Sequence, residues 1–313
     1  MTAPEPAGEI RIGTSGWSYP RGRGAWTGVF YPAAGSRGRR IDELAYYAER
    51  FDTVEVNSSF YRPPAPDTTR RWVRRTPPGF EFAVKLYQKF THPEMFHETT
   101  GQDPWSLGRP DVDEFRRALD PLATAGKLGP LLAQFPPSFH ASPAARDYLA
   151  WLLEAFADCR LAVELRHRSW SDEQPATLAL LDRVGAAWVQ IDEPKFRFSV
   201  RQDLQAHAPG LYYMRLHGRN AETWWRHDHP EDRYDYLYSS QELSPIAAAV
   251  AQAARQSRKL YVYLNNHFAA KAVANAVVLR QQVGQSTPGD FEPAFVDRYP
   301  DVAALVATSR SLL

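Results

Sequence analysis

The sequence has little cysteine and no long apolar run. Cys159 is the single cysteine among 313 residues, so an internal disulfide framework and a cysteine-based zinc site are both excluded. No apolar stretch approaches the roughly 20 residues that a membrane span needs, and residues 1–8 lack the basic and apolar regions of a secretory signal. These absences predict a cytoplasmic protein that does not associate with membranes.

The sequence also lacks an excess of either charge. Its 37 Lys and Arg residues balance 36 Asp and Glu residues, so the overall field expected of a nucleic-acid-binding or membrane-binding protein is missing. The spacing of Gly22, Gly24 and Gly28 does not match the dinucleotide fingerprint. Walker, Gly-x-Ser-x-Gly and His-Glu-x-x-His motifs are absent as well. No nucleotide cofactor is therefore expected.

Short apolar runs that are rich in branched and aromatic residues recur along the chain, and helical patterns lie between them. The runs predict eight strands, at 10–14, 53–60, 81–86, 128–135, 161–166, 186–192, 211–217 and 259–266. Helices are predicted at 41–50, 67–75, 111–125, 143–158, 175–184, 241–256 and 269–283, but not within 193–210. This alternation without a linker predicts one (β/α)8 TIM-like barrel domain at 9–313 after a flexible tail at 1–8, with an open doubly wound sheet as the fallback.

The predicted strand ends are unusually polar. Because side chains alternate along a strand, Glu55 and Asn57 share one face, as do Glu164 and Arg166. Barrel enzymes carry their chemistry at the carboxyl ends of the strands, so we predict acid–base catalysis there on a small polar substrate, either anionic or carbohydrate-like. The predicted catalytic residues are Glu55, Glu164, His217 and Asp192, and the predicted substrate-binding residues are Asn57, Lys85, Arg166, Arg215, Asn265, His267, Trp17 and Trp224.

Other interpretations of the same residues stay open. The charges could form a structural network, because buried charges are tolerated when they are paired. A divalent metal is another alternative, since His and carboxylate side chains at strand ends are common ligands. The metal candidates are Glu55, Glu164, Asp192, His217 and His267. Arg166 and Arg215 would compete for the same carboxylates.

Two long loops follow the first and seventh predicted strands. Residues 15–40 mix aromatic and arginine side chains, a composition that can grip phosphates and stack bases. Residues 218–240 contain Trp224 and Trp225, which predict a lid over the site that moves with ligand. The function alternatives are therefore a nucleic-acid-binding or nucleic-acid-processing protein and a non-catalytic ligand sensor.

Several motifs together resemble a known family across nearly the whole chain. They are Gly13–Trp17, Val54–Arg62, Phe82–Lys85 with Thr91-His92, Leu128–Pro137, Val163–Trp170, Arg215–Arg219 and Tyr261–His267. In this order they resemble the domain of unknown function 72 family, also called YecE-like. The resemblance implies a TIM-like barrel of the architecture of endonuclease IV and the xylose isomerases, without implying an activity. The endonuclease IV analogy is the mechanistic support for the nucleic-acid alternative.

Overall fold

Two parallel sheets form the centre of the molecule in the computed structural model, which describes residues 8–33, 41–103, 107–224 and 228–309. The first has the strand order β2-β3-β4-β5-β6, and the second has the order β1-β9-β8-β7. The strands are β1 (Glu9–Thr14), β2 (Thr53–Val56), β3 (Glu81–Lys85), β4 (Leu128–Gln134), β5 (Leu161–Glu164), β6 (Ala187–Trp188), β7 (Gln190–Asp192), β8 (Leu211–Leu216) and β9 (Lys259–Leu264). The predicted α/β fold with parallel strands is confirmed.

Helices connect most of these strands, as predicted. They are α1 (Glu43–Ala48), α2 (Pro66–Arg74), α3 (Gln88–Thr91), α4 (Pro93–Thr100), α5 (Arg109–Thr124), α6 (Pro143–Ala155), α7 (Arg168–Asp172), α8 (Gln174–Asp182), α9 (Ser240–Ala253), α10 (Lys271–Gln282) and α11 (Pro293–Arg298). Ser142 begins α6 by accepting the Ala145 N–H at 3.2 Å. The interval 193–210 contains no helix, as expected. A short parallel pair, β10 (Asp290–Phe291) and β11 (Ala307–Thr308), lies near the carboxyl terminus.

The predicted strands run past the observed ones at three places. The strand beginning at Thr53 ends at Val56, and a 3-10 turn follows at Ser58–Phe60. The strand beginning at Leu161 ends at Glu164. The predicted run 186–192 is divided at Val189, because β6 pairs with β5 while β7 pairs with β8. The sequence stays hydrophobic through these positions, but the neighbouring strand that would form backbone hydrogen bonds either ends there or is replaced by a different strand.

The two sheets meet at two places. A single bridge joins Ser15 to Glu55, and the Gly16 N–H donates to the Glu55 carbonyl at 2.8 Å. At the other edge only Val189 separates β6 from β7. The ladders therefore stop short of one continuous ring, so the closed (β/α)8 barrel stays a prediction.

The opposite, amino-terminal ends of the strands contain a buried ion cluster around Glu81. Lys259 and Tyr261 both donate to its carboxylate, and Arg11 lies 3.8 Å from it. Arg11 and Lys259 hold the pKa of Glu81 below its ordinary value, although burial alone would raise it. This cluster ties β1, β3 and β9 together at the end away from the polar strand termini. Among the described helices, none is long and apolar enough to cross a membrane.

Candidate functional site

Arg215 on β8 lies at the centre of the polar groups between the two sheets. Its Nε donates to Glu55 Oε2 at 3.0 Å and its Nη2 donates to Glu55 Oε1 at 2.8 Å. Its Nη1 donates to Glu164 Oε2 at 2.6 Å. Arg215 is 2% exposed, and both glutamates are 0% exposed. One guanidinium therefore bridges carboxylates from β2 and β5, and all three side chains are almost fully buried.

Further hydrogen bonds are donated to the carboxylates of Glu55 and Glu164. Glu55 accepts from Ser15 Oγ at 2.8 Å and from the Tyr213 hydroxyl at 2.6 Å. Glu164 accepts from Arg166 Nε at 2.6 Å. Burial favours the neutral acid, but Arg215 and then Arg166 lower the pKa of Glu164 far below its ordinary value. Glu164 is consequently ionised and fully engaged, which suits a structural anion better than a proton donor.

His217 lies beside these buried charges. Its Nδ1 lies 2.9 Å from the side-chain amide nitrogen of Asn265, and its Nε2 lies 3.4 Å from Arg166 Nη2. Burial, together with Arg215 and Arg166, lowers the pKa of His217 well below its ordinary value, so the ring is neutral. The structure thus brings together Glu55, Glu164, Arg166, Arg215 and His217, the five residues that strand alternation aligned. We call these five residues the floor.

A cavity of about 620 Å³ opens above the floor, at the carboxyl ends of the strands. Its cationic lining residues are Lys85, Arg166, Arg215 and Arg233. Its other polar or aromatic lining residues are Trp17, Ser18, Tyr19, Asn57, Ser58, Phe60, Tyr61, His92, Gln134, Trp224, Tyr234, Asn265 and His267. Among the described residues that line the cavity there is no carboxylate. A negative charge is therefore favoured inside it.

Lys85, the last residue of β3, enters this cavity without a carboxylate partner among the described residues. Its Nζ donates to Gln134 Oε1 at 2.6 Å and lies 3.9 Å from the centre of the Phe60 ring. Burial and the nearby Arg215 lower the pKa of Lys85 to about 7. Lys85 is therefore a titratable group near neutral pH that faces an open cavity, which is a common property of functional lysines.

A stack of three rings forms one wall. Tyr19 stacks on His267 with ring centres 4.4 Å apart, and the Tyr234 ring is tilted against His267 with ring centres 4.7 Å apart. The Nδ1 atom of His267 lies 3.1 Å from the Asn265 carbonyl. Since a carbonyl only accepts, Nδ1 carries the proton and Nε2 is an acceptor. Burial lowers the pKa of His267 to about 4, so this ring is neutral.

All eight predicted substrate-binding residues line the cavity, whereas the four predicted catalytic residues, Glu55, Glu164, His217 and Asp192, do not. Asp192 accepts from Arg219 Nη2 at 2.7 Å and from the Tyr238 hydroxyl at 2.6 Å. Both partners belong to the segment that follows β8, so Asp192 anchors that segment beside the site. His92 and Arg233 also line the cavity, although the sequence did not predict either as a site residue. The signal in the sequence is that His92 lies in the connection after the predicted strand 81–86 and that Arg233 lies within the predicted lid.

The metal candidates do not converge. In the ranges that the structure describes, no group of three or more His, Cys, Asp or Glu side chains is arranged to hold an ion. Glu55 and Glu164 direct their oxygens to Arg215, and Asp192 directs its own to Arg219. The arginines thus occupy the carboxylates that a metal would need, which is the competition expected from the sequence.

The two long loops behave differently from each other. Trp224 in the predicted lid is 3% exposed and lines the cavity, whereas Trp225 lies outside the described residues. A lid that moves with ligand stays a prediction. In the first loop, Trp26, Phe30 and Tyr31 are fully buried in the core. These three rings are not available to stack on a base, which removes part of the support for nucleic-acid binding. The arginines at 37, 39 and 40 lie outside the described ranges.

Comparisons with known proteins agree with one another. Residues 11–295 match the model of the DUF72 family, described as a protein of unknown function. The UPF0759 protein YunF of Bacillus subtilis is 30% identical over 273 residues, which are 85% of this chain and 92% of YunF. A DUF72 family crystal structure from Thermotoga maritima is 34% identical, with a TM-score of 0.74 over 88% of this chain and 100% of that one. One from Enterococcus faecalis is 25% identical, with a TM-score of 0.75 over 88% and 96% of the two chains.

Proposed function

This chain belongs to the DUF72 family, and because the family description names no activity, we propose a function from the cavity itself. The protein is an enzyme that acts on a small anionic, carbohydrate-like substrate by acid–base chemistry. One observation carries the proposal: the cavity at the strand ends is lined by four cationic side chains and by no carboxylate from the described residues.

The charges of the floor and of the cavity have separate roles. Glu55 and Glu164 offset the charges of Arg215 and Arg166. The charge of protonated Lys85 is not offset by a carboxylate partner among the described residues. An anionic group that enters the cavity can therefore pair with it. Such a group raises the pKa of Lys85 and binds more tightly as the amine takes up a proton.

The remaining lining suits a polyhydroxylated molecule. Asn57, Gln134 and Asn265 provide amide donors and acceptors, and the buried Asn57 Oδ1 has no hydrogen-bond partner among the described residues. Trp17 and Tyr19 contribute aromatic side chains to the same cavity. A few placed polar groups among aromatic walls are typical of small-molecule sites.

We assign the acid–base roles to the groups that can exchange protons with a ligand. Lys85 titrates near neutral pH, and His267 offers Nε2 as an acceptor at the wall. Glu55 and Glu164, which the sequence suggested as acid and base, then orient the arginines. His217 then positions Asn265 and Arg166. A cytoplasmic location belongs to the same proposal.

We further propose that the two sheets close into a (β/α)8 barrel. The Ser15–Glu55 bridge joins β1 to β2, and β6 and β7 are adjacent segments of one extended chain that pair with opposite sheets. The Arg215 ion pairs span the interior between the sheets. A polar site at one end of such a barrel agrees with where these folds carry their chemistry.

Matched ligand pairs test the function. Glucose 6-phosphate and glucose differ by one anionic group, so the phosphate should raise the melting temperature of the protein while glucose should have much less effect. Lys85→Met should abolish this difference, whereas Lys195→Met, a lysine outside the lining, should preserve it. Equal shifts for both ligands would contradict an anionic substrate.

Turnover of a panel of phosphorylated and carboxylated sugars is followed by NMR, and binding without turnover of any member would favour the ligand sensor.

A further inference from the structure

Lys85 differs from the other lysines in what it contacts. The chain contains six lysines. Lys89, Lys259 and Lys271 form ion pairs with Asp111, Glu81 and Asp235. Lys127 donates to three oxygens of Val73 and Thr76, and Lys195 donates to the Ile191 carbonyl outside the lining of the cavity. Only Lys85 combines a place on the cavity wall with the absence of a carboxylate partner among the described residues.

The surroundings of Lys85 favour the unprotonated amine. The charged groups that face it are Arg215 on β8, Arg166 after β5, and the carboxylates Glu164 and Glu55. His92, which follows β3, is neutral because burial and then Lys85 lower its pKa to about 3. Gln134 accepts one hydrogen bond from Nζ, and the Phe60 ring covers another side. At a pKa of about 7, roughly half of the amines carry a free lone pair at pH 7, against roughly one in 2,500 for an ordinary lysine.

We propose that Lys85 is the nucleophile of this site and forms an imine with the carbonyl carbon of an anionic aldehyde or ketone. The inference rests on the proposed function and narrows its substrate class to small carbonyl compounds that carry a phosphate or carboxylate. Lysines that are desolvated beside other cations are activated in this way for covalent chemistry.

The step is balanced without a further reactant. The Nζ lone pair forms a C–N bond as the carbonyl π pair moves to oxygen, which takes up a proton and becomes the hydroxyl of a carbinolamine. The nitrogen loses a proton. The hydroxyl then leaves as water after a second protonation from solvent, and the nitrogen lone pair forms the C=N bond. No electron is gained or lost overall.

The cations around Lys85 explain why the substrate carries negative charge. A protonated imine carries a positive charge, so with a neutral carbonyl compound it would add a charge beside Arg215 and Arg166. A phosphate or carboxylate on the substrate offsets that charge within the same cavity. The arginines that lower the pKa of Lys85 therefore also favour a substrate whose negative charge stabilises the product of addition.

Reductive trapping tests the proposal on the whole chain. The probes are glycolaldehyde phosphate and glycolaldehyde, each with sodium cyanoborohydride, which reduces an imine to a stable secondary amine that peptide mass spectrometry locates. We expect the phosphorylated probe to modify Lys85 at least about tenfold faster than each of the other five lysines. The rate should rise with pH, with a midpoint at or above the pKa of about 7, because a bound phosphate raises the pKa of Lys85. Lys85→Arg, with its fold checked by circular dichroism, should lose this fast phase, whereas Lys195→Arg should keep it.

The outcomes separate the two proposals. If glycolaldehyde phosphate stabilises the protein but modifies Lys85 no faster than Lys195, the imine is wrong and the anionic site stands. If both probes modify Lys85 equally fast, the nucleophile stands and the anionic substrate class is wrong. If neither probe stabilises the protein nor modifies Lys85 selectively, both proposals are overturned.

Discussion

Arg215 and Glu55 form a two-pronged ion pair although 160 positions separate them in the sequence. Glu55 lies on β2 of the five-stranded sheet, and Arg215 lies on β8 of the four-stranded sheet. The pair therefore connects the two sheets through the interior, beneath the cavity. Glu164 on β5 makes the same connection through the third nitrogen of the guanidinium.

Removing Glu164 should destabilise the fold. Glu164→Ala leaves Arg215 Nη1 and Arg166 Nε without their acceptor. Because Arg215 is 2% exposed and water cannot replace that acceptor, the free energy of unfolding should fall by about 3–5 kcal/mol. Glu173→Ala is the control: its pair with Arg146 has a glutamate 57% exposed and should lose less than about 1 kcal/mol. Urea unfolding measures both. A loss below about 1 kcal/mol for Glu164→Ala would mean that water reaches the floor.

Stability should fall as the pH is lowered from 6.5 towards 5. His217, His267 and His92 have pKa values below the ordinary 6.5 in the folded protein, chiefly because they are buried. The unfolded chain then binds protons that the native state rejects, and this favours unfolding. Urea titrations across this range measure the slope, which His217→Gln should flatten. The exposed His97→Gln should not flatten it, and an equal effect of both variants would argue against buried neutral rings.

Glu81 should matter for stability and not for ligand binding. Glu81→Ala leaves Lys259 and Tyr261 without their shared acceptor, so we expect a loss of roughly 3 kcal/mol or more. Because this cluster lies at the amino ends of the strands, the shift in melting temperature produced by glucose 6-phosphate should stay the same size. A reduced shift would show coupling between the two ends of the sheets.

Trp224 should contribute to ligand affinity. It lines the cavity, is 3% exposed, and meets the His217 ring edge to face at 6.3 Å. Trp224→Ala should weaken binding of an anionic sugar by roughly tenfold, since a buried aromatic wall is lost. Trp151→Ala, which removes a ring that is 38% exposed elsewhere, should leave affinity unchanged. Calorimetry measures both, and protection of residues 218–240 from proteolysis by ligand tests whether the lid moves.

The sequence predicted the elements well because each buried strand needs an apolar run on both faces. It also predicted the floor, because Glu55, Glu164, Arg166 and Arg215 interrupt such runs with charge. It could not predict which charges form ion pairs. Arg215 contacts Glu55 and Glu164 because of the order of the strands in space, and the sequence does not contain that order. The partners of the Asp192 carboxylate could not be predicted either, because Arg219 and Tyr238 belong to another segment of the chain.

Lys85 shows the same limit for chemistry. Its position at a strand end made it a candidate for binding an anion, but its lowered pKa depends on burial and on Arg215, which is 130 positions away in the sequence. The long aromatic loop after β1 was ambiguous for a different reason. Composition does not tell whether rings such as Trp26 face solvent or the core, and the structure places this ring in the core.

The floor has a consequence for how this protein can diverge. Two arginines and two glutamates sum to no net charge there, so the interior does not fix the sign of the ligand. That sign is set at the outer positions of the cavity, chiefly by Lys85, which has no carboxylate partner among the described residues. Substitutions at those outer positions can therefore redirect the site towards neutral or cationic compounds while the ion pairs that join the sheets are inherited intact.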